Sequence, residues 1–211
     1  MKRRTLTGEE RADWLRLSRT RGIGPITFFH LLERYGSAAA VLNDLPALAK
    51  KAGGKNISAP PLDDIQREIE ATQALGAGHI AACEPDFSRC LAAIDAPPPV
   101  IAVRGRRALL HQQAIAMVGA RDASAAGRRM ARDLARDLGQ AGYAIVSGLA
   151  RGIDGEAHAA AIETGTIACI AGGAQDDLDN LRSGQIGEGL LQQGHGPCHH
   201  GSREGGAADL P

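Results

Sequence analysis

The sequence predicts an α/β protein in which a small helical module precedes a partial parallel sheet with flanking helices. Helical spacing dominates the first 76 residues, which also contain a GIGP turn at 22–25. Between residues 114 and 170, three short apolar runs alternate with two helical patterns, the βαβαβ order of a Rossmann-like unit. These patterns divide the chain into four parts: a helical domain at 1–76, a connecting segment at 77–110, a partial Rossmann-like domain at 111–173 and a tail at 174–211.

The bulk composition excludes several classes of protein. The 24 basic and 24 acidic residues balance, so any polyanion has to be held by local groups rather than by an overall field. No apolar run approaches the ~20 residues that cross a bilayer. The four cysteines form no CxxC pair and no disulfide framework. We therefore expect a reduced, cytoplasmic protein that does not associate with membranes.

The helical module contains a turn typical of a helix-hairpin-helix. Helices are predicted on both sides of the GIGP turn, over residues 9–19 and 25–35, with Pro25 at the first position of the second. Glycine amides at a helix N-terminus can hold a DNA phosphate, so Gly22 and Gly24 are candidate DNA contacts. The alternative is a turn that serves packing only. Three further helices are predicted in this module: 38–42, 45–51 and 62–75.

Strands are predicted wherever short apolar runs are bounded by turn residues. They lie at 100–103, 114–118, 143–147 and 166–170. The unbroken run at 114–118 is typical of a parallel strand that is covered on both faces. Ligands bind at the carboxyl ends of such strands, where the polar strand-to-helix junctions of this chain also lie.

Two helices are predicted to connect the strands of the Rossmann-like domain. Ser124 can cap the first. Apolar side chains recur along it as one stripe, which consists of Met130, Leu134 and Leu138 with Ala131, Ala135 and Ala141 beside them. Arg129 and Asp133 are spaced to form an ion pair on its surface. The second helix is expected over 154–164.

The first strand-to-helix junction has the composition of an anion-binding loop. It reads GARDAS at 119–124 and is followed by Gly127. Gly119 lets the backbone leave the strand sharply, and the amides at the helix start point toward an anion. Arg121 can add a charge-assisted contact. The candidate phosphate-binding residues are therefore Gly119, Arg121, Ser124 and Gly127.

The second junction reads SGLARGID at 147–154 and offers a hydroxyl, flexible amides and a second arginine. Asp154 and His158 lie one helical turn apart, where they can orient each other or hold Arg151 as structural support. No nucleophile stands beside them, so no catalytic site is predicted. The alternative is a capping network around a tight turn. The candidate phosphate-binding residues here are Ser147, Gly148, Arg151 and Gly152.

The tail at 174–211 shows no sustained period and is predicted to be low in order. The parallel sheet is not expected to continue there, and one short helix is predicted at 186–193. No GxGxxG or GxxxxGK[ST] motif occurs in the chain, so no cofactor is predicted. Four residues of the tail match no standard zinc spacing, so no metal site is predicted: His195, Cys198, His199 and His200.

The two junctions resemble those of the DprA/Smf family of DNA-processing proteins. The matching pieces are AMVGARDAS-AAG, IVSGLARGIDGEAH and GTIACIAGG, in that order, and the GIGP module resembles the family's SAM-like or helix-hairpin-helix region. The resemblance covers roughly residues 10–173. After Gly173 the chain lacks the tyrosine-proline motif and the arginine-rich segment with which the family continues. We therefore expect a foreign tail, such as a frame shift would create on a truncated product.

The resemblance implies a protein that binds single-stranded DNA and loads a RecA-type recombinase onto it during natural transformation. It implies no catalytic step, a second copy of the chain as a further partner, and a DNA-phosphate pocket lined by the candidate residues of both junctions. Two alternatives stay open. One is a nucleotide-processing enzyme similar to phosphoribohydrolases, whose GGxGTxxE loop has no counterpart here. The other is an inert gene fragment.

Overall fold

The computed structural model describes residues 3–51 and 57–170, and the backbone of residues 190–193. The helical module contains four helices in its described part. A capping box starts the first of them, because Thr7 Oγ1 accepts from the Glu10 amide at 3.2 Å and Glu10 Oε2 accepts from the Thr7 amide at 2.9 Å. The four are α1 (Gly8–Ser18), α2 (Pro25–Tyr35), α3 (Ala38–Lys51) and α4 (Leu62–Ala74).

Helix α3 corrects the prediction of two short helices at 38–42 and 45–51. It runs without a break through Pro46, which removes one backbone donor from the helix. Val41 and Leu45 are one turn apart and both are buried in the core. Burial of this shared face holds the helix together across the proline, which local sequence patterns do not reveal.

The helical module is followed by six strands that form one sheet. The strands are β1 (Ala77–Ala81), β2 (Val100–Arg104), β3 (Ala114–Ala116), β4 (Ala144–Ser147), β5 (Thr166–Ile170) and β6 (Leu190–Gln193). Their order in the sheet is β1-β2-β6-β5-β4-β3. Strands β3, β4, β5 and β6 run parallel, whereas β1 and β2 form an antiparallel pair and β2 is antiparallel to β6.

Strand β6 corrects two predictions about the tail. The sequence predicts a helix at 186–193, but residues 190–193 form a strand that lies between β2 and β5. The sheet therefore does continue beyond β5, in parallel, against the prediction that it stops there. The pairing partners decide this conformation, because a four-residue strand carries too little local preference to predict itself. The other predictions for the tail fall on residues outside the described part.

Strand β3 is an edge strand, not the covered strand that the apolar run 114–118 predicts. Among the described strands it pairs with β4 alone. Ala114 and Ala116 are exposed, and Val118 just beyond the strand is 78% exposed. An apolar run cannot distinguish a central strand from an edge, since the neighbour that would cover it comes from elsewhere in the chain.

Helices α6 (Ala125–Gln140) and α7 (Ile153–Ala161) pack side by side on the parallel strands. The packed face of α6 is its alanine face, with Ala131 and Ala135 buried. Two members of the predicted apolar stripe point away from it, because Met130 is 65% and Leu134 44% exposed. Small side chains let α6 approach α7 and β4 closely, which the spacing of large apolar residues does not show.

The surface of α6 also differs from its predicted ion pairing. Asp133 pairs with Arg136 at 3.2 Å and not with Arg129, and Arg132 reaches Glu156 of α7 at 2.7 Å. Two short elements complete the described fold, the helix α5 (Arg89–Ala92) and a 3₁₀ turn at Arg107–His111. Every helix in the described part is too short or too polar to span a lipid bilayer.

Candidate nucleic-acid interface

The carboxyl ends of β3 and β4 bring the two predicted junctions together. Ala116 pairs with Val146 in parallel register, so both strands release their chains at the same edge of the sheet. A backbone hydrogen bond then joins the loops directly, since the Ile153 amide donates to the Ala120 carbonyl at 3.3 Å. The two junctions are therefore one interlocked unit, which confirms that the fold places them at one site.

Two of the candidate glycines are required by this interlock. A Cβ on Gly119 would lie 2.6 Å from Cγ1 of Ile153. Gly152 has φ +82, and a Cβ there would lie 2.3 Å from the Ala120 carbonyl oxygen and 2.4 Å from that of Arg121. The structure thus gives these glycines a packing role that is independent of any ligand. The sequence analysis did not predict a role for Ile153, because no motif marks this residue. Its side chain fills the space next to Gly119.

Both candidate serines use their hydroxyl groups within the fold. Ser124 is the N-cap of α6 and accepts from the Gly127 amide at 3.1 Å. Ser147 is buried, and its hydroxyl donates to the Met117 carbonyl at 2.6 Å. Ser124 is exposed beside the first junction, whereas Ser147 ties the end of β4 to the end of β3 from inside.

The amides of the second junction are partly occupied by a side chain of the same loop. Gly148 donates its N–H to Asp154 Oδ2 at 3.2 Å, and Ala150 donates to the same oxygen at 3.4 Å. Leu149 between them has φ +62, in the left-handed region that side-chain-bearing residues seldom adopt. Asp154 itself is buried. These contacts are those of the capping network around a tight turn, which the sequence leaves open as the alternative, and in the described part no hydrogen bond or ion pair joins Asp154 to Arg151.

His158 lies wholly inside the protein. Its Nδ1 is 2.6 Å from Thr166 Oγ1, whose own proton goes to the Ile145 carbonyl at 2.9 Å. The hydroxyl must therefore accept, so Nδ1 carries the imidazole proton. Burial lowers the pKa of His158, against a smaller opposing effect of the Asp154 carboxylate. The neutral, buried ring supports β5 and α7 and does not face the surface of the site.

Arg121 and Arg151 are the two candidate residues whose charges face solvent at this edge. Neither forms an ion pair or a hydrogen bond with any residue in the described part of the chain. Their backbones are held near each other, because the Gly152 Cα directly after Arg151 packs on the Arg121 carbonyl. The site therefore presents two unpaired guanidinium groups on adjoining loops, an arrangement suited to an extended anion.

The GIGP turn forms the hairpin that the sequence predicts. Gly22 has φ +87, and Gly24 is the N-cap of α2, with Pro25 at its first position. Ile23 is buried between the two glycines, and its amide donates to the Thr20 carbonyl at 3.1 Å. Both the packing role and the phosphate role of this turn are compatible with these contacts.

The candidate metal ligands of the tail lie outside the described residues. Within residues 3–51 and 57–170, no group of three His, Cys, Asp or Glu side chains is arranged to hold a metal ion.

Comparison with known proteins decides the family. Residues 78–188 match the model of the family described as DNA recombination-mediator protein A, which includes both junctions. The chain belongs to this family. Residues 8–71 match the model of the DprA-like N-terminal HHH domain, which includes the GIGP hairpin. The family match ends at residue 188, beyond residue 173, where the sequence motifs predict that the resemblance stops.

Individual relatives cover different shares of the chain. Protein Smf of Synechocystis sp. is 28% identical over 203 residues, which is 90% of this chain and 50% of that protein. The DNA processing protein DprA of Bacillus subtilis is 36% identical over 114 residues, 53% of this chain and 38% of the relative. The chain thus spans about half the length, or less, of these members of the DNA recombination-mediator protein A family.

The fold of the family is also that of a solved structure. The X-ray structure of DNA processing protein A from Streptococcus pneumoniae aligns with a TM-score of 0.62 at 20% identity. The alignment covers 92% of this chain and 68% of the other. It confirms the predicted combination of an N-terminal helical domain and a Rossmann-like sheet.

Proposed function

We propose that this chain binds single-stranded DNA through the phosphate backbone, at the carboxyl edge of β3 and β4. The observation that carries the proposal is the pair of exposed, unpaired arginines, Arg121 and Arg151, on two loops that are locked together. Membership of the DNA recombination-mediator protein A family supports it. The chain as a whole has no net charge, so these local cations have to supply the attraction.

A binding role fits the site better than a catalytic one. Of the candidate residues at the two junctions, Asp154 and His158 have acid–base side chains, and both are buried with contacts to loop amides and to Thr166. A general acid or base has to reach a proton of its substrate, and neither side chain faces the surface. The Ser147 hydroxyl is likewise directed to a backbone carbonyl.

The wider cellular role follows from the family and is part of the proposal. We infer that the DNA is taken up during natural transformation, that the protein acts in the cytoplasm, and that its partners are a RecA-type recombinase and a second copy of the chain. Co-precipitation of purified RecA with the protein on single-stranded DNA tests the first partner. Sedimentation of the protein alone tests the second. A negative result in either experiment would exclude that partner. The proposal of DNA binding would remain, because it is tested separately.

The test of DNA binding is the salt dependence of affinity for a labelled oligo-dT. Arg121→Ala and Arg151→Ala should each weaken binding by about tenfold, the cost of about 1.4 kcal/mol expected for one charge-assisted contact. Each should also reduce the slope of log K against log salt by about 0.7, the value for one phosphate of a single strand. The measurement is fluorescence anisotropy over a salt titration.

Arg67→Ala is the matched control, because Arg67 is an exposed arginine of α4 that pairs with Asp64. It should leave both affinity and slope unchanged. A folded wild-type protein that does not bind oligo-dT at low salt would refute the proposal. Equal losses in Arg67→Ala and Arg121→Ala would refute the location of the site.

A further inference from the structure

The amide cradle of the second junction is already filled by a carboxylate of the chain. Asp154 Oδ2 accepts from the amides of Gly148 and Ala150, at 3.2 and 3.4 Å. A Cβ on Gly148 would lie 3.2 Å from the same oxygen, so the glycine leaves just enough room for the carboxylate. Amides that the sequence assigns to a bound phosphate thus hold an internal anion instead.

This carboxylate has few partners for a buried charge. Asp154 is 5% exposed, forms no ion pair with a described residue, and its Oδ1 has no hydrogen-bond partner there. The charge is stabilised by the two loop amides and by its place at the start of α7, where the helix dipole favours an anion. An unpartnered oxygen on a buried carboxylate destabilises the fold. Stability therefore does not account for Asp154, whereas the loop that its other oxygen holds does.

What it holds is a strained loop that ends at Arg151. Leu149, with φ +62, lies between the two amides that Asp154 binds. On the far side of Arg151 the chain is fixed again, since the Ile153 amide donates to the Ala120 carbonyl. Strained backbone persists only where surrounding contacts over-determine it. The loop that carries Arg151 is therefore clamped at both ends, with Asp154 as the clamp on its N-terminal side.

We propose that Asp154 is a positioning residue, whose carboxylate fixes the loop at 148–152 so that Arg151 is presented to the phosphate backbone. The DNA contact in this statement rests on the proposed function, whereas the clamping of the loop does not. Asp154 touches no ligand in this scheme and acts only through Arg151.

A double-mutant cycle with Arg151 tests the DNA part of the proposal. Asp154→Ala should weaken oligo-dT binding about tenfold in the wild-type background, the loss expected if the Arg151 contact fails. In the Arg151→Ala background the same change should cost less than about twofold, because the two residues act as one unit. Asp154→Asn keeps a carbonyl oxygen for the two amides and should bind within about threefold of wild type.

Two outcomes would overturn this part. One is an equal loss from Asp154→Ala with and without Arg151, which would mean a general effect on the fold. The other is wild-type affinity in Asp154→Ala. Glu163→Gln is the matched control, because Glu163 is an exposed carboxylate just beyond the end of α7 and should leave binding unchanged.

Limited trypsin digestion tests the clamp without DNA. Arg151 is exposed, so cleavage after it should be slow in wild type and Asp154→Asn, and faster in Asp154→Ala. Cleavage after Arg67 in α4 serves as the internal reference for global unfolding, and Arg151→Gln identifies the product. If Asp154→Ala does not accelerate cleavage after Arg151 relative to Arg67, the clamp is refuted. If the acceleration occurs but no variant binds oligo-dT, the proposed function fails while the clamp stands.

Discussion

Two regions of this protein are stabilised in different ways. The helical module and β1–β2 share one core in which the large side chains of Leu15, Phe28 and Phe87 are fully buried, and which Ala144 of β4 and Ile167 of β5 join at its border. The region of β4, α6 and α7 has a small separate cluster of three alanines and Ile145. The elements of this region are joined instead by close contacts at glycines. One of these is at Gly139 of α6, where an added Cβ would lie 2.2 Å from the hydroxyl oxygen of Thr164.

The candidate site lies in the second of these two regions. Large buried side chains supply most of the hydrophobic stabilisation of a fold, about 25 cal/mol for each Å² of apolar surface removed from water. A region built from alanine and glycine buries less surface per residue, and its geometry depends on backbone hydrogen bonds and exact space at glycines. The loops of the candidate site are held in this way, including the strained backbone at Leu149, which has φ +62.

The largest effect that would test this comparison is expected for Phe28→Ala in the first region. Phe28 is fully buried, with its ring centroid 5.1 Å from that of Trp14 in an edge-on arrangement. Loss of this side chain should lower the free energy of unfolding by about 3–5 kcal/mol. Urea titration followed by fluorescence of Trp14 measures it. Ile26→Ala, in the same helix but 56% exposed, should cost less than about 0.5 kcal/mol. Similar costs for both variants would contradict a close-packed core.

The second region should be most sensitive to an added methyl group at Gly152. Gly152→Ala combines a φ of +82 with a clash against the Ala120 and Arg121 carbonyls, so it should cost more than about 2 kcal/mol of unfolding free energy. Gly142→Ala is the matched control, because Gly142 has φ +92 but open space around its Cα. It should cost only about 1 kcal/mol, the backbone term alone. Equal costs in thermal unfolding would show that the loops are not interlocked.

Low pH should destabilise the first region, the helical module with β1–β2, through protonation of Glu68. Burial raises the pKa of this carboxyl, but His79 and Arg19 outweigh that effect and hold it at about 2, below its ordinary 4.5. A lowered pKa stabilises the fold above pH 4.5, and this contribution is lost as the pH falls from 4.5 toward 2. At about 1.4 kcal/mol per pKa unit, reduced for partial exposure, the loss should be about 1–2 kcal/mol.

Unfolding free energies of wild type and Glu68→Gln at pH 6 and pH 3 measure this contribution. The difference between the two proteins should shrink at the lower pH. Glu70→Gln, which removes an exposed carboxyl of the same helix, is the matched control. If the unfolding free energy of Glu68→Gln depends on pH in the same way as that of wild type, the assignment of this contribution to Glu68 is wrong.

Much of the fold and the location of the site could be predicted from local patterns. The GIGP turn predicted the start of α2 at Pro25, and Ser124 was predicted as the cap of α6. Such features depend on residues a few positions apart, which interact in the same way in any context. The location of both junctions at one sheet edge followed from the parallel βαβ order alone.

The contacts within the site could not be predicted in this way. That Gly152 packs on Arg121, that Asp154 fills the cradle at Gly148, and that Ser147 faces inward all depend on how two distant loops meet. The two junction motifs contain these residues, but they do not indicate which side chains face solvent and which contact one another. Of the candidate residues at the two junctions, Arg121 and Arg151 are the charged side chains that face solvent without a partner in the described part.

The sequence by itself determined the alternation of strands and helices between residues 114 and 170, the family resemblance and the edge of the sheet at which the two junctions lie. The tertiary structure decided that β3 is an edge strand, that β6 inserts between β2 and β5, and that α6 packs by its alanines. The physical reason is the range of the interactions. Caps, turns and periodicity act over one or two turns of chain, whereas strand neighbours, close glycine contacts and the partners of a buried carboxylate come from residues far apart in sequence.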